Sequence, residues 1–256
     1  MVNAILKALA HPFNVWVGKE GLVSAAKRLQ RVLHIRIRVA QLPKKTNKLL
    51  EEGSLILAGN HPWDSEPPML LTTLPSRKDM YFVGSAALRK IIPNFAKHLI
   101  PVHVAHHQIK SKALKPSVIF ERLMNLIRGG GDLEQIRERN KTEIAKGAQK
   151  INEGGMVCIF PGTFTGKKWL TGVGWMANDV TNPNTRVVFV YIAKTSFLDY
   201  LRFIPIIKRI FPEIVIYFSA PMRIPFGKDG KVITEILRNE YYKWISTLNV
   251  KKPSSA

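Results

Sequence analysis

A histidine and two carboxylates follow a short apolar run near residue 60. His61, Asp64 and Glu66 come directly behind residues 55–58, which have the length of a strand and turn residues on both sides. Histidine titrates near neutral pH without perturbation, and a nearby carboxylate can fix its tautomer and stabilise its charged form. The apolar run and its flanking turn residues place His61 where a buried strand is expected to open into a loop. A histidine beside a carboxylate can act there as a general base.

A second loop with chemical potential follows another apolar run, residues 156–160. Residues 161–168 contain two glycines, two threonines and two lysines. Amide, hydroxyl and ammonium groups in such a loop can hold a phosphate or an oxyanion. Both loops follow strands, where open α/β sheets bind ligands. Together they suit a reaction in which a base activates a hydroxyl beside an anion site.

Strands and helices alternate around these loops. Apolar runs of strand length occupy residues 55–58, 80–84, 99–102, 156–160, 187–193 and 213–220, and residues 34–39 alternate with a period of two. Helical patterns cover residues 69–74, 86–97, 110–152 with a break at the glycines 129–131, and 232–248. This order predicts an α/β fold, a single domain whose largely parallel mixed sheet is flanked by helices.

The chain is strongly basic, above all in its first fifty residues. The whole chain carries 39 Lys and Arg against 18 Asp and Glu, a net charge of +21. Such a field attracts polyanions, among them nucleic acid, anionic lipid head groups and phosphorylated small molecules. No recognisable nucleic-acid motif accompanies the charge, so nucleic acid is not an expected partner. No window approaches the roughly 20 apolar residues of a membrane-spanning helix.

A basic amphipathic helix is predicted at the amino-terminal end. Apolar residues recur at helical spacing from Leu22 to Leu33, with Lys27, Arg28 and Arg31 between them. Such a helix can lie on an anionic bilayer, or it can pack on the domain with a solvated basic face. We therefore predict a basic amphipathic segment at residues 1–38, an α/β domain at 39–250 and a frayed tail at 251–256.

The two loops resemble motif blocks of the glycerolipid acyltransferase family, which contains 1-acylglycerol-3-phosphate and glycerol-3-phosphate acyltransferases. The family's first block is Asn-His, four residues and Asp, and Asn60-His61 with Glu66-Pro67 matches it with Glu for Asp. Its third block is Gly-Gly, a strand and Phe-Pro-Glu-Gly-Thr-Arg-Ser. Gly154-Gly155 and residues 160–165 resemble this block, with the Glu missing and Phe164 in place of Arg. Residues 99–106 lack the arginine of the second block.

The resemblance implies an O-acyltransferase of phospholipid biosynthesis. His61 would take the proton of an acceptor hydroxyl, and Glu66 would orient the imidazole, with Asp64 as the alternative carboxylate. The donor would be acyl-CoA or acyl-carrier protein, and the acceptor a lysophospholipid or related glycerolipid. Substrate or phosphate binding would fall to Asn60, Phe160, Pro161, Gly162, Thr163, Thr165, Lys167 and Lys168.

Three further expectations follow from the resemblance and the charge. The protein would be peripheral, at the cytoplasmic face of an anionic membrane. No cofactor and no metal are expected, because no Cys or close carboxylate joins His98, His103, His106 and His107. The alternative to catalysis is an inactive, basic lipid-binding protein of the same fold.

Overall fold

The computed structural model describes residues 2–60, 66–103, 133–162, 169–195, 199 and 211–248. Its helices are α1 Val2–Glu20, α2 Leu22–Val32, α3 Lys44–Glu52, α4 Glu66–Leu71, α5 Leu88–Ile91, a 3-10 helix Pro93–His98, α6 Leu133–Asn152, α7 Gly172–Asn178 and α8 Gly230–Thr247. Its strands are β1 Ile37–Gln41, β2 Leu55–Gly59, β3 Met80–Ser85, β4 Leu99–Val102, β5 Met156–Ile159, β6 Arg186–Ala193, β7 Ile214–Phe218 and β8 Met222–Arg223.

The strands form one mixed sheet in the order β1-β7-β6-β2-β5-β3-β4, with β8 beside β6. β2 lies between β5 and β6 and pairs in parallel with both, whereas β6 and β7 are antiparallel. The strands β2, β5 and β6 therefore end at one edge of the sheet, which we call the carboxyl edge. The predicted fold class, a largely parallel sheet flanked by helices, is confirmed.

The direction of β7 brings a second chain segment to the carboxyl edge. Ala193, the last residue of β6, lies opposite Val215 near the start of β7. β1 is parallel to β7 and Ile37 lies opposite Ile214, so β1 also begins at this edge. The junction of α2 and β1 thus reaches the edge where β2, β5 and β6 end.

Two helical layers cover the sheet and create two apolar cores. Leu55 and Leu57 of β2 point into the core beneath α1, α2 and α4, and Ile56 and Ala58 point into the core beneath α6, α7 and α8. β2 and β5 are buried along their whole length. This double cover explains why both strands are continuously apolar in sequence. Within the part of the chain that the structure describes, no helix has the length and apolarity needed to cross a bilayer.

Two elements differ in position from their sequence patterns. β1 was expected at residues 34–39, but His34 has a positive φ of 50° and the strand begins at Ile37. α4 was expected at residues 69–74, but it begins at Glu66 because Pro67 and Pro68 fit a first helical turn, where no backbone N–H is needed. The predicted amphipathic helix is present as α2, in which Leu22, Val23, Ala25 and Ala26 are buried and Val32 is exposed. The divisions at residues 38 and 250 stay predictions.

At the edge opposite the carboxyl edge, the side chain of Arg77 binds several chain segments. Its side chain is 3% exposed and forms a two-pronged ion pair with Asp79, at 2.9 and 2.6 Å. It also donates to four backbone carbonyls at 2.8–3.3 Å, those of Leu49, Leu50, Gly53 and Gly154. The hydrogen bond from Arg77 holds the pKa of Asp79 below its ordinary value, against the opposing effect of burial.

The crossing of α7 and α8 depends on two glycines. A Cβ atom on Gly174 would overlap the carbonyl oxygen of Gly230 and the hydroxyl of Thr234. A ring atom of Trp175 lies 2.6 Å from where a Cβ of Gly230 would stand. Both positions therefore require glycine for close helix packing.

Replacing Gly174 by Ala is expected to lower the free energy of unfolding by about 1–3 kcal/mol, because the methyl group forces the two helices apart. Denaturant titration followed by circular dichroism measures the change. Gly172→Ala in the same helix is the matched control, since its Cβ would meet Ile144 and Ile159 at ordinary distances of 3.4–4.0 Å. Equal unfolding midpoints for the two variants would contradict the role of the crossing.

Candidate active site

The two loops predicted to carry chemistry leave the sheet side by side. β2 and β5 are neighbours, with Ala58 opposite Ile159, so the residues that follow these two strands meet at the carboxyl edge. A Cβ atom on Gly59 would lie 3.2 Å from a ring carbon of Phe160. Among the predicted site residues, His61, Asp64, Thr163, Thr165, Lys167 and Lys168 lie outside the described residues.

β2 also approaches β6 closely at this edge. Gly59 is opposite Val190 in the parallel register. A Cβ atom on Gly59 would lie 2.5 Å from a methyl carbon of Val190 and 3.2 Å from its carbonyl oxygen. A side chain at position 59 would push the strands apart, so glycine is required where the first loop begins.

The carboxamide of Asn60 binds the backbone of β6. The N–H of Ile192 donates to Oδ1 of Asn60 at 2.8 Å, and Nδ2 of Asn60 donates to the carbonyl oxygen of Ile192 at 3.1 Å. Both ends of the side chain are thus engaged by a strand 132 positions away in sequence. The residue before His61 is therefore held at a fixed place on the carboxyl edge.

Glu66 is a fully buried carboxyl group just beyond residues 61–65. Its residue exposure is 0%, and it is the first residue of α4. A carboxylate is favoured at a helix amino terminus by the peptide dipoles. Burial raises the pKa of Tyr241 well above its ordinary value, and the charges of Tyr191, Tyr242 and Glu66 add to that effect. Glu66 thus places a carboxyl group in the protein interior, five residues after His61 in the chain.

The ends of the second loop lie next to each other. Gly162 and Trp169 form an antiparallel bridge, and the N–H of Leu170 donates to the carbonyl oxygen of Pro161 at 2.8 Å. Pro161 is buried and Gly162 is half-buried. Residues 163–168 thus begin and end at one anchored point, beside the end of β5.

An aromatic cluster packs Trp169 against β6 and α8. The ring of Trp169 lies 5.2 Å from Tyr241 and 6.4 Å from Phe189, and Tyr241 lies 6.1 Å from Trp244. These separations are those of directly packed rings. Trp169 is thus part of the core beneath α6, α7 and α8. The spacing of Tyr241 and Trp244, three residues apart on α8, is the signal that could have indicated the cluster.

Lys194 is a cation at the carboxyl edge that sequence reasoning overlooked. It directly follows the last residue of β6, is exposed, and has a φ of 63°, which is uncommon for a residue other than glycine. The sequence signal for Lys194 is its position directly after a buried apolar run, since both predicted loops also directly follow such runs. Lys194 adds positive charge to the edge where Asn60 is anchored.

The histidines considered as metal ligands have structural contacts where they are described. The Nδ1 atom of His98 is 2.9 Å from the carbonyl oxygen of Met80, and burial lowers the pKa of His98. The backbone N–H and carbonyl of His103 bind the carboxamide of Asn140 at 2.7 and 2.8 Å. His106 and His107 lie outside the described residues, among which no cluster of three potential metal ligands occurs.

Cys158, the single cysteine, lies in the middle of the sheet. It is fully buried, and burial raises the pKa of its thiol. A thiol in this environment stays protonated and is a poor nucleophile. Cys158 is therefore a buried residue of the core.

No protein-family model matches the sequence, and a comparison with curated proteins finds no match. The fold is similar to the crystal structure of the 1-acyl-sn-glycerophosphate (LPA) acyltransferase PlsC from Thermotoga maritima, with a TM-score of 0.50 and 14% sequence identity. The similarity covers 97% of this chain and 98% of that chain. At this identity the likeness establishes a shared α/β fold, with a mostly parallel sheet flanked by helices.

Proposed function

We propose that the protein is an O-acyltransferase that moves an acyl chain from a thioester to a hydroxyl of a lysophospholipid or related glycerolipid. The observation that carries this proposal is the arrangement at the carboxyl edge. Asn60 is anchored on one side of residues 61–65, Glu66 is fully buried on the other, and the chain after Phe160 emerges beside them. The shared fold with an LPA acyltransferase supports the same reaction class.

The proposed reaction is direct transfer with His61 as general base. His61 takes the proton of the acceptor hydroxyl while its oxygen attacks the thioester carbonyl carbon. A carbon–oxygen bond forms, the carbon–sulfur bond breaks, and the departing thiolate takes the proton from the imidazolium. Glu66 stabilises that imidazolium. Amide, hydroxyl and ammonium groups of Gly162, Thr163, Thr165, Lys167 and Lys168 would hold the oxyanion or the phosphate.

A phosphate-bearing acceptor suits the charge at this edge. The arginine of the second motif block has no counterpart in residues 99–106. Lys194 supplies an exposed cation directly behind β6. We therefore assign the charge that such an acceptor requires to Lys194 together with the lysines of the second loop.

The amino-terminal surface suits a peripheral enzyme at an anionic membrane. Lys27, Arg31 and Arg38 are exposed, and so are the apolar side chains of Val32, at 55%, and Leu42. Cations attract anionic head groups, and exposed apolar side chains can enter the interface between head groups and acyl chains. The location that fits an acyl thioester donor is the cytoplasmic face.

A transfer assay with the purified protein tests the proposed activity. Labelled acyl-CoA or acyl-carrier protein is incubated with a panel of lysophospholipids in anionic vesicles, and His61→Ala protein prepared in parallel controls for contaminating enzymes. We expect a labelled diacyl product with the wild type alone. Vesicle binding without transfer to any acceptor would contradict catalysis and favour the inactive lipid-binding alternative.

A charge-reversal variant tests membrane binding separately. Lys27→Glu combined with Arg31→Glu is expected to weaken binding to anionic vesicles by about tenfold or more, since each cation near such a surface contributes about 1 kcal/mol. Co-sedimentation at fixed ionic strength measures the change. The matched control is Arg139→Glu with Lys141→Glu, two exposed cations of α6 on the opposite layer. Equal losses in both variants would refute a specific role of α2.

A further inference from the structure

We propose that Asn60 is a positioning residue that places His61, and that it acts by ending the pairing of β2 with β6 through its side chain. This inference rests on the proposed function of His61. Asn60 was first considered as a substrate-binding residue, because it belongs to the motif that contains His61. The contacts of its carboxamide point to a different role.

The carboxamide of Asn60 takes the place of one further residue of β2. Gly59 is the last residue of β2 and lies opposite Val190. The next backbone groups of β6 that face β2 are the N–H and carbonyl of Ile192, and the Asn60 side chain binds both. An amide has the same donor and acceptor as a peptide group, so neither group of Ile192 is left unsatisfied.

Because the Asn60 side chain makes bonds that strand backbone would otherwise make, β2 can end at Gly59. The carboxamide of Asn60 binds the groups of Ile192 that further residues of β2 would otherwise pair with, so the pairing with β6 needs no backbone beyond Asn60. Gly59 packs closely against Val190 and Phe160, which leave no room for a side chain at position 59. The bond pair to Ile192 therefore fixes Asn60, the residue that precedes His61 in the chain.

Direct substrate binding would leave a different signature. The two bonds to Ile192 use one of the two N–H groups of the Asn60 carboxamide and one lone pair of its oxygen. Replacing a residue that is held in this way lowers kcat, because the base is then misplaced. A misplacement of about 1 Å can cost about 10²-fold in rate. A substrate-binding residue would instead raise KM.

Asn60→Asp is the informative variant because it keeps the shape of the side chain. At neutral pH its carboxylate accepts from the N–H of Ile192 but repels the carbonyl oxygen. We expect kcat to fall about 10–100-fold with KM for both substrates within about threefold. A half-buried carboxyl beside a carbonyl has a pKa above the ordinary value of about 3.9. It therefore regains a proton, and with it the lost donor, as the pH falls towards 5.

The ratio of variant to wild-type kcat between pH 8 and pH 5 is the deciding measurement. It should rise at low pH for Asn60→Asp and stay flat for Asn60→Leu, which has no group to protonate. Circular dichroism confirms folding. If Asn60→Leu does not fold, Asn60→Gln replaces it, because it holds the same groups one methylene further out and does not titrate.

Three outcomes separate the possibilities. A flat ratio for Asn60→Asp, or a large rise in the acceptor KM with kcat unchanged, overturns the positioning role while the proposed function stands. A rising ratio with unchanged KM supports it. A wild-type protein that transfers to no acceptor overturns the proposed function, and the placement of a catalytic base with it.

Discussion

Exchange of Glu66 for Gln is expected to lower kcat for acyl transfer by about 10²–10⁴-fold, as much as the loss of His61, since this is the contribution of general-base catalysis. Glu66 is 0% exposed and begins α4, five residues after His61 in the chain. Glutamine fills the same volume without the charge, so the imidazolium formed during transfer loses its counter-charge. Initial rates at saturating acceptor measure the effect, with folding checked by thermal unfolding.

Asp64 is the competing carboxylate, and Asp64→Asn is therefore the control. If Glu66 pairs with His61, Asp64→Asn should retain a rate within a few-fold of the wild type. A second variant, Glu66→Asp, restores the residue found in the first block of the resembling family and should keep more activity than Glu66→Gln. A severe loss in Asp64→Asn with little loss in Glu66→Gln would transfer the role to Asp64.

Replacement of Arg77 by Met is expected to lower the free energy of unfolding by about 3–5 kcal/mol, because its buried guanidinium donates to four backbone carbonyls and a buried acceptor left without a partner costs about 1–3 kcal/mol. The guanidinium of Arg77 is the donor for four carbonyls from two chain segments, residues 49–53 and Gly154. Two of these carbonyls, from Leu49 and Leu50, belong to the last turn of α3, and that of Leu49 also accepts from the N–H of Gly53 at 2.8 Å. Methionine fills the space and leaves all four without this donor. Urea unfolding measures the loss.

Two controls separate the carbonyl bonds from the ion pair. Asp79→Asn should cost about 1 kcal/mol or less, because the side chain of Asp79 is 49% exposed and water can replace much of the pair. Arg77→Lys keeps the charge but not the planar set of donors, so it should fall between Arg77→Met and the wild type. A larger loss in Asp79→Asn than in Arg77→Met would contradict this division.

The ion pair also predicts a pH dependence. The folded-state pKa of Asp79 is lowered from 3.8, mainly by the hydrogen bond from Arg77. A lowered carboxyl pKa contributes stability above the unfolded-state pKa, and this contribution is lost as pH falls through the folded-state pKa. The stability difference between wild type and Arg77→Met should therefore narrow below about pH 4. A difference that stays constant from pH 7 to pH 3 would contradict the coupling.

The sheet could be predicted because its strands carry their signal locally. Residues 55–58, 156–160 and 187–193 are apolar because the strands that they form are covered on both faces. Their alternation with helices implied parallel pairing, and parallel pairing brought the two loops to one edge. The start of β1 was predicted three residues too early. β1 is an edge strand with three of its five residues exposed, so its apolar pattern marks its ends weakly.

The contacts that hold the candidate site could not be read from the sequence, because they join distant residues. Asn60 and Ile192 are 132 positions apart, and nothing near either residue indicates the other. Arg77 is a single arginine just before a turn, and its four carbonyl acceptors come from two distant segments of the chain. The motif blocks indicated the chemistry of His61 and Glu66, because that chemistry depends on residue type and spacing. The supporting contacts depend on the complete fold.

The antiparallel placement of β7 determines how the molecule would meet a lipid surface. Because β7 and β1 begin at the carboxyl edge, the end of α2, with Arg31 and Val32, reaches the same side of the molecule as Asn60 and Phe160. A bilayer bound through α2 would therefore face the opening of the proposed site. A lipid acceptor could then enter by lateral diffusion within the leaflet, a search in two dimensions that requires no transfer of its acyl chain through water.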